Sequence, residues 1–407
     1  MNIVFLAHFA GSPRHGMVYG QYYLAREWVR MGHEVTIVSA SYAHTRFQQP
    51  DSQLSEEKID GIRYLWLKVP GYKATGRIGR VLNIIAFTIA SYSPFLRKKL
   101  GKMDLVISSS HHPFSIFPAQ SIAKKNSAKL VFEVRDIWPL TLIELGGASP
   151  KHPFIRLMQW AENYAYRTAD KVVSVLPGAD KHMLEHGMIP DKFVYIPNGA
   201  DLDNRQAEPL SFSHQSLIEN LRDQNRFLIG YAGRMGLANA LHHLIDALML
   251  IDNPNIHAVL LGDGYELENL KKLALEKGIS DRVHFLSSVP KAQVESFLRQ
   301  MDVLYVGFLK QPIYRFGTSV TKMNDYMLAQ KPVVCAIDGA IEGVEATGAG
   351  LMCKAENIEQ IASAISEVFH YTSEMREQMG VAGHEWVRAH RDYKILAERF
   401  LEMVMSR

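Results

Sequence analysis

Cysteine is almost missing from this chain, which has only Cys335 and Cys353 in 407 residues. Two thiols exclude a disulfide framework and a cysteine-built zinc site, and they suit a reducing cytosol. An excess of one charge is missing too. Lysine and arginine total 45 against 42 acidic residues, and no basic run carries interleaved aromatics, so nucleic acid is not the expected partner. Met1-Asn-Ile-Val-Phe-Leu-Ala has neither a basic flank nor a clear cleavage site. It reads as a first buried strand, not as a secretory signal. Long apolar runs are also lacking. The longest, Val81 to Leu96, contains Asn83 and Pro94 and falls short of the roughly 20 residues that a spanning helix needs. That excludes a helical anchor through the bilayer and leaves a resting place on its surface open.

What is present is an ordinary well-cored composition, 47% hydrophobic and 21% charged, at a length that predicts two domains. Asn2-Ile-Val-Phe-Leu-Ala, a loop with Gly11, Gly16 and Gly20, a helix from Tyr22 to Met31, and Gly32-His-Glu-Val-Thr-Ile-Val-Ser form a β-loop-α-β unit. Both strands lack polar alternation, as strands covered on two faces do. Further short apolar runs start at Gly61, Asp104, Lys129, Lys171 and Phe193, so a parallel, doubly wound sheet is predicted. The polar stretch Asp201 to Asn225, with Pro209 and little strand character, reads as a linker. The rhythm restarts at Phe227, continues through runs at Ile256, Val283, Val303 and Pro332, and gives way to a mostly helical tail. Two doubly wound, Rossmann-like α/β domains are predicted, residues 1–205 and 206–389, with the carboxyl ends of their sheets facing across a cleft.

The densest chemistry lies between Gly230 and Ala336. Arg226-Phe-Leu-Ile-Gly reads as a strand, and Leu241, Leu244, Ile245 and Leu248 mark a helix. Between them, Gly230-Tyr-Ala-Gly-Arg-Met-Gly is a glycine turn that brings backbone N–H groups and a helix N-terminus together, which suits phosphate. Arg234 adds a permanently charged fork. A second glycine turn, Phe316-Gly-Thr-Ser, leads into a helix with Lys322 and Asp325 in its early turns. Two such devices in one half of a chain predict a pocket for a nucleotide diphosphate.

These residues resemble a known family. Phe227 to Gly236, Leu260-Leu-Gly-Asp-Gly, Pro197-Asn-Gly-Ala-Asp and Gly317 to Pro332 are similar to the GT-B glycosyltransferases of family 4. Gly32-His-Glu-Val-Thr and Val134-Arg-Asp-Ile-Trp-Pro resemble the bacterial O-antigen and capsule branch of it. The resemblance covers nearly the whole chain. It implies that the final helix, Tyr393 to Met405, crosses back so that residues 390–407 join residues 1–205. It implies a retaining transfer from a nucleotide diphosphate sugar, UDP being the expected carrier, held mainly by the C-terminal domain. No metal or other cofactor is expected, because cationic side chains and helix N-termini stabilise the leaving diphosphate.

Carried over by position, Arg234 contacts the donor phosphates. Where family members carry a lysine soon after this arginine, the chain has Asn239, so Lys322 becomes the candidate for the missing charge. Of the family's paired acids, Asp325 matches the ribose-side one, whereas Gly317 stands in place of the sugar-side one. Backbone N–H groups of Thr318 and Ser319 and the Ser319 hydroxyl are the expected substitutes. Gly233 belongs to the same donor cradle, and Val289 and Pro290 are expected near the base.

Plainer readings stand beside each of these. Lys322 and Asp325, three apart on one helix face, would also suit a surface ion pair of little worth. Asp263, between two glycines, reads first as a turn residue. Arg135 and Asp136 follow a buried strand at its carboxyl end and either orient the acceptor hydroxyl or form a structural pair. His111 and His112 end another strand, on the acceptor side or as satisfied loop residues. Gly16 lies near the donor phosphates or in an ordinary βα turn. Arg77 to Lys102 is apolar with basic ends, either a buried helix or an interfacial segment on anionic lipid. The expected activity is transfer of a sugar to a lipid-linked glycan at the cytoplasmic face of the inner membrane. A UDP-sugar 2-epimerase on the same fold and a non-catalytic nucleotide-sugar-binding scaffold are the alternatives.

Overall fold

A computed structural model describes residues 1–406 apart from 18, 52–55, 74–76, 204–206 and 340, and leaves the side chain of Arg77 undescribed. The chain divides into two compact units, Met1–Asn198 with Tyr393–Arg407, and Gly199–Asp392.

The first unit is built on eight strands: β1 (Asn2–Leu6), β2 (Glu34–Ala40), β3 (Glu56–Ile59), β4 (Ile62–Leu67), β5 (Leu105–Ser109), β6 (Lys129–Val134), β7 (Lys171–Ser174) and β8 (Phe193–Tyr195). Their order is β3-β4-β2-β1-β5-β6-β7-β8. Ile3, Val4, Phe5 and Leu6 are fully buried, because helices cover both faces of a parallel sheet. The winding direction reverses between β1 and β5. The loops after β1, β5 and β6 therefore gather at one switch point, where ligands of such sheets bind. The sequence reading had no β3, which pairs antiparallel with β4 at the sheet edge; its Glu-Glu-Lys-Ile is too polar to read as a buried strand.

The second unit has six strands: β9 (Phe227–Ala232), β10 (Ile256–Leu261), β11 (Val283–Leu286), β12 (Val303–Gly307), β13 (Val333–Ala336) and β14 (Gly350–Cys353). Their order is β11-β10-β9-β12-β13-β14, all neighbours parallel. Here the switch point falls between β9 and β12. Strand β14 lies within the tail expected to be mostly helical, its four residues too few for a periodic signal. The stretch read as a linker holds a helix, Phe212–Asp223, which buries His214, Ile218 and Leu221. Offsets of four and three give it one apolar stripe, enough to hold a polar helix in place.

The last helix, Tyr393–Met405, belongs to the first unit. It buries Leu396, Ala397, Phe400 and Val404 against the helix Gly20–Arg30. Trp28 is the pivot. Its ring stacks on Phe5 at 5.5 Å, meets Phe400 edge-on at 5.1 Å, and its Nε1 donates to the Ala397 carbonyl at 3.0 Å. Deleting the ring in Phe400→Ala is expected to cost the first unit about 3–5 kcal/mol. A urea transition followed by Trp28 fluorescence checks it, and a shift under about 1 kcal/mol would mean the helix is not packed there.

Candidate functional site

The switch point of the second unit is made of glycine turns that touch. After β9 the chain turns at Gly233 and Arg234, and after β10 at Gly262-Asp263-Gly264. The Gly233 N–H donates to Leu261 O at 3.0 Å, and the Met235 N–H to Asp263 O at 2.8 Å. Gly262 has φ +142°, and a Cβ there would sit 2.0 Å from Gly233 O. No other residue fits at that approach. Asp263 thus serves the turn through its carbonyl. These turns, with Ser288, Val289 and Lys291 from the region after β11 and with Asp325, enclose a cavity of about 560 Å³, within the range of small-molecule sites.

Of the expected donor residues, Gly233, Arg234, Val289 and Asp325 line this cavity. Pro290 stands just outside it, capping the helix Lys291–Leu298. Arg234 is exposed, and among the described residues its guanidinium meets no carboxylate. Lys322 approaches from the helix Thr321–Leu328. Its ammonium lies 4.5 Å from the centroid of the Tyr231 ring, donates to Tyr231 Oη at 3.1 Å, and to Asn239 Oδ1 at 2.7 Å. A Cβ on Gly233 would be 3.4 Å from Lys322 Nζ, so the ammonium sits at the turn itself. Burial pulls its pKa from 10.5 down to about 8, since the charged form loses water and gains no anion.

The surface ion pair between Lys322 and Asp325 does not form. Asp325 pairs with Lys291, and Lys322 has only neutral oxygen partners among the described residues. Two helix positions three apart face the same way, but each is closer to a different neighbouring loop. Asn239, at the place of the family's lysine, accepts from Lys322 and donates its own Nδ2–H to the Arg234 carbonyl at 2.9 Å. Tyr231 does the same, donating to that carbonyl at 2.8 Å. The substitution is therefore linked to Lys322: a second ammonium at position 239 would face the first. Gly317 has φ +83° and ends the short turn Pro312–Phe316. Thr318 and Ser319 lie before the first helical residue, Thr321, and the Thr318 hydroxyl is buried without a hydrogen-bond partner among the described residues. Tyr231, Lys291, Gly262 and Gly264 went unread as site residues. The signal for them was their position one or two residues from Gly233, Pro290 and Asp263, inside the glycine motifs for all but Lys291.

In the first unit, the loops after β1, β5 and β6 bring Arg135, Asp136, His111 and His112 to one end of the sheet. Arg135 is anchored, with Nη1 3.3 Å from Glu133 Oε1 and Nη2 2.8 Å from Asn198 Oδ1. Glu133 is buried and also accepts from Ser109 Oγ and Gln21 Nε2. Asp136 has open accessible surface yet is crowded by protein, and that crowding raises its carboxyl pKa against the pull of Arg135. Gly16 lies in a tight loop, where its N–H and carbonyl both bond Ser12. The plain turn reading holds for its backbone.

The histidines sit deeper than loop residues would. His112 is 1% exposed, and its Nε2 is 3.0 Å from His8 Nδ1, while His8 Nε2 is 2.6 Å from Asn83 Oδ1. Asn83 Nδ2 donates to Pro70 O at 2.8 Å, which fixes its Oδ1 as an acceptor. His8 therefore carries its proton on Nε2 and receives one from His112 Nε2. The buried Nδ1 of His112 is left as a lone pair without a partner. Burial holds both His111 and His112 near pKa 3, so both are neutral at physiological pH.

Comparison with known proteins follows this division. The family described as Glycosyl transferase 4-like domain matches residues 15–199, and Glycosyl transferases group 1 matches residues 215–386. The probable glycosyltransferase WbjE of Pseudomonas aeruginosa is 22% identical over 68% of this chain and 69% of its own length. The putative colanic acid biosynthesis glycosyl transferase WcaI of Escherichia coli K12 is 24% identical over 64% of this chain and 65% of its own. Among solved structures, HepE of Anabaena in complex with UDP superposes with a TM-score of 0.69 at 19% identity over 100% of both chains; that likeness is one of fold. The chain belongs to the GT-B glycosyltransferases, with a 4-like front half and a group 1 rear half.

The depressed pKa of Lys322 has a readable consequence. Between about 8 and 10.5 the unfolded chain binds a proton at this residue that the folded chain does not, so stability rises with pH across that window. A diphosphate bound beside the ammonium restores its proton. Binding of UDP should therefore take up a proton and weaken as pH climbs through about 8. Calorimetry in buffers of different ionisation enthalpy measures the uptake, and Lys322→Met should abolish it.

Proposed function

We propose that this chain transfers a hexosyl or N-acetylhexosaminyl group from a UDP-sugar to a lipid-linked glycan, with retention, in the synthesis of a cell-surface polysaccharide of O-antigen or capsule type. The observation that carries this is the pair of cations at the Gly233 turn. Arg234 lines a cavity of small-molecule size, Lys322 reaches the turn behind it, and among the described residues neither meets a carboxylate, the electrostatic provision a departing diphosphate needs. The relative named for colanic acid biosynthesis and the fold neighbour solved with UDP support the polysaccharide role and the choice of nucleotide.

In this reaction the bond from the sugar's anomeric carbon to the diphosphate oxygen breaks, and the acceptor oxygen bonds to that carbon on the same face. The acceptor proton passes to the departing phosphate oxygen, so UDP leaves protonated at that position and no enzymic base is required. Arg234 and Lys322 take up the developing charge. Asp325 receives the ribose hydroxyls, Val289 and Pro290 flank the base, and the Thr318 and Ser319 N–H groups face the sugar in place of the acid missing at Gly317. Arg135 and Asp136 orient the acceptor hydroxyl, and His111 and His112, both neutral, serve the acceptor side. Charge neutralisation by these side chains stands in for a metal. The enzyme works at the cytoplasmic face of the inner membrane, where lipid-linked acceptors lie.

Thermal melts against UDP, GDP, ADP and CDP should single out UDP, since a ligand at 100 times its Kd adds about 2.7 kcal/mol. Arg234→Ala should keep the melting temperature, its side chain being exposed, and lose about 100-fold or more in transfer. Donor turnover without any acceptor would point to an epimerase. Indifference to every nucleotide would leave only a scaffold.

A further inference from the structure

The first unit presents an apolar face that no part of the described chain covers. On the helix Arg77–Ala90, Ile78, Leu82, Ile85 and Ile89 are 78%, 54%, 47% and 67% exposed. Offsets of four, three and four residues put them in one narrow sector. Asn83, Ile84 and Phe87, on the opposite sector, are buried. The helix thus spends one apolar face on the core and turns a second one outward. After a break at Ser91–Ser93, the helix Pro94–Leu100 leaves at 62° with Phe95 exposed. Tyr92, at the break, is exposed and within electrostatic reach of Tyr164. Tyr164 packs on Phe117 and Trp160, and Trp160 is itself half exposed. An aliphatic stripe bordered by Tyr and Trp is the side-chain order of a membrane–water boundary.

Charge decides what covers this face. Between Gly61 and Phe132 the only acidic residue is Asp104, against twelve lysines and arginines, in a chain whose total is only +3. Lys98, on the helix that carries Phe95, and Lys102, just after it, are exposed. A second copy docked by two-fold symmetry would bring like charge against like. Anionic headgroups would neutralise it. Among the described residues no single helix is long and apolar enough to cross a membrane.

We propose that this face of the first unit lies on an anionic lipid surface, with Ile78, Leu82, Ile85 and Ile89 among the acyl chains and Lys98 and Lys102 on the headgroups. Its purpose, access to a lipid-linked acceptor, rests on the proposed function, but its physical basis does not. The buried side of the same helix carries Asn83, whose bond to His8 leads to His112. The helix set on lipid and the candidate acceptor residues are therefore joined by one hydrogen-bonded chain.

Sedimentation of the full chain with phosphatidylcholine vesicles, with and without about one third phosphatidylglycerol, tests this. The anionic vesicles should retain the protein, high salt should release it, and neutral vesicles should not hold it. Ile78→Asp with Ile89→Asp should cut retention about tenfold or more, with the melting temperature unchanged because both side chains are exposed. Lys98→Glu with Lys102→Glu should do likewise. Absent retention, retention that survives both double variants, or a salt-resistant dimer dissolved by Ile89→Asp overturns the proposal. The UDP melt, run on the same preparations, separates the two readings. Lost lipid binding with an intact UDP response condemns the surface alone, and the reverse condemns the donor site alone.

Discussion

An ammonium held out of water with no anion beside it is the constraint on which the second unit turns. Among the described residues Lys322 meets the ring faces of Tyr231 and Phe308 and two neutral oxygens, which offset part of its lost hydration and leave its pKa depressed. The surroundings are rigid for a reason. Tyr231 and Asn239 each accept from Lys322 and donate to one and the same carbonyl, that of Arg234. The lysine, two polar side chains and the arginine's own backbone form a closed ring, so the ammonium is held against the turn that carries Arg234. Preorganised charge of this kind is what makes electrostatic catalysis effective.

The first unit handles its polar groups the other way. Its cation, Arg135, is tied down by buried Glu133 and by Asn198, and its histidines are driven neutral and threaded into a chain with Asn83. One unit stores unsatisfied positive charge, the other spends its charge on internal bonds. That contrast fits a division in which the rear unit meets the anionic donor and the front unit meets hydroxyl groups. It also leaves the outer basic and apolar face of the front unit free for another surface.

Much of the fold was legible. Strands buried on two faces are near-continuous apolar runs, and the glycine turns that follow them announce themselves by composition, which is why Gly233 and Arg234 stand out in the sequence, whereas Val289, with no glycine beside it, was expected only from the family resemblance. Where legibility failed, the signal was short or the partner distant. The edge strand Glu56–Ile59 and the four residues Gly350–Cys353 are too brief for a period to show. The helix Phe212–Asp223 hides in polar sequence and betrays itself by three buried residues only. The alternative pairing of Lys322 with Asp325 does not form, because helical spacing says which side chains share a face, not which loop lies opposite each of them.

The apolar strands at the heart of both sheets and the glycine turns after them follow from the chain alone, because steric freedom at glycine and the period of hydrophobic residues act over a few neighbours. Which residues meet at a site is another matter. Asn239 and Lys322 stand 83 positions apart, and only the reversal of sheet order between β9 and β12 brings their loops to one edge. Whether Lys322 is buried, whether His112 is neutral, and which side of the helix Arg77–Ala90 faces outward depend on the packing of distant elements and the water it excludes. Those are properties of the assembled unit, and no local run of residues encodes them.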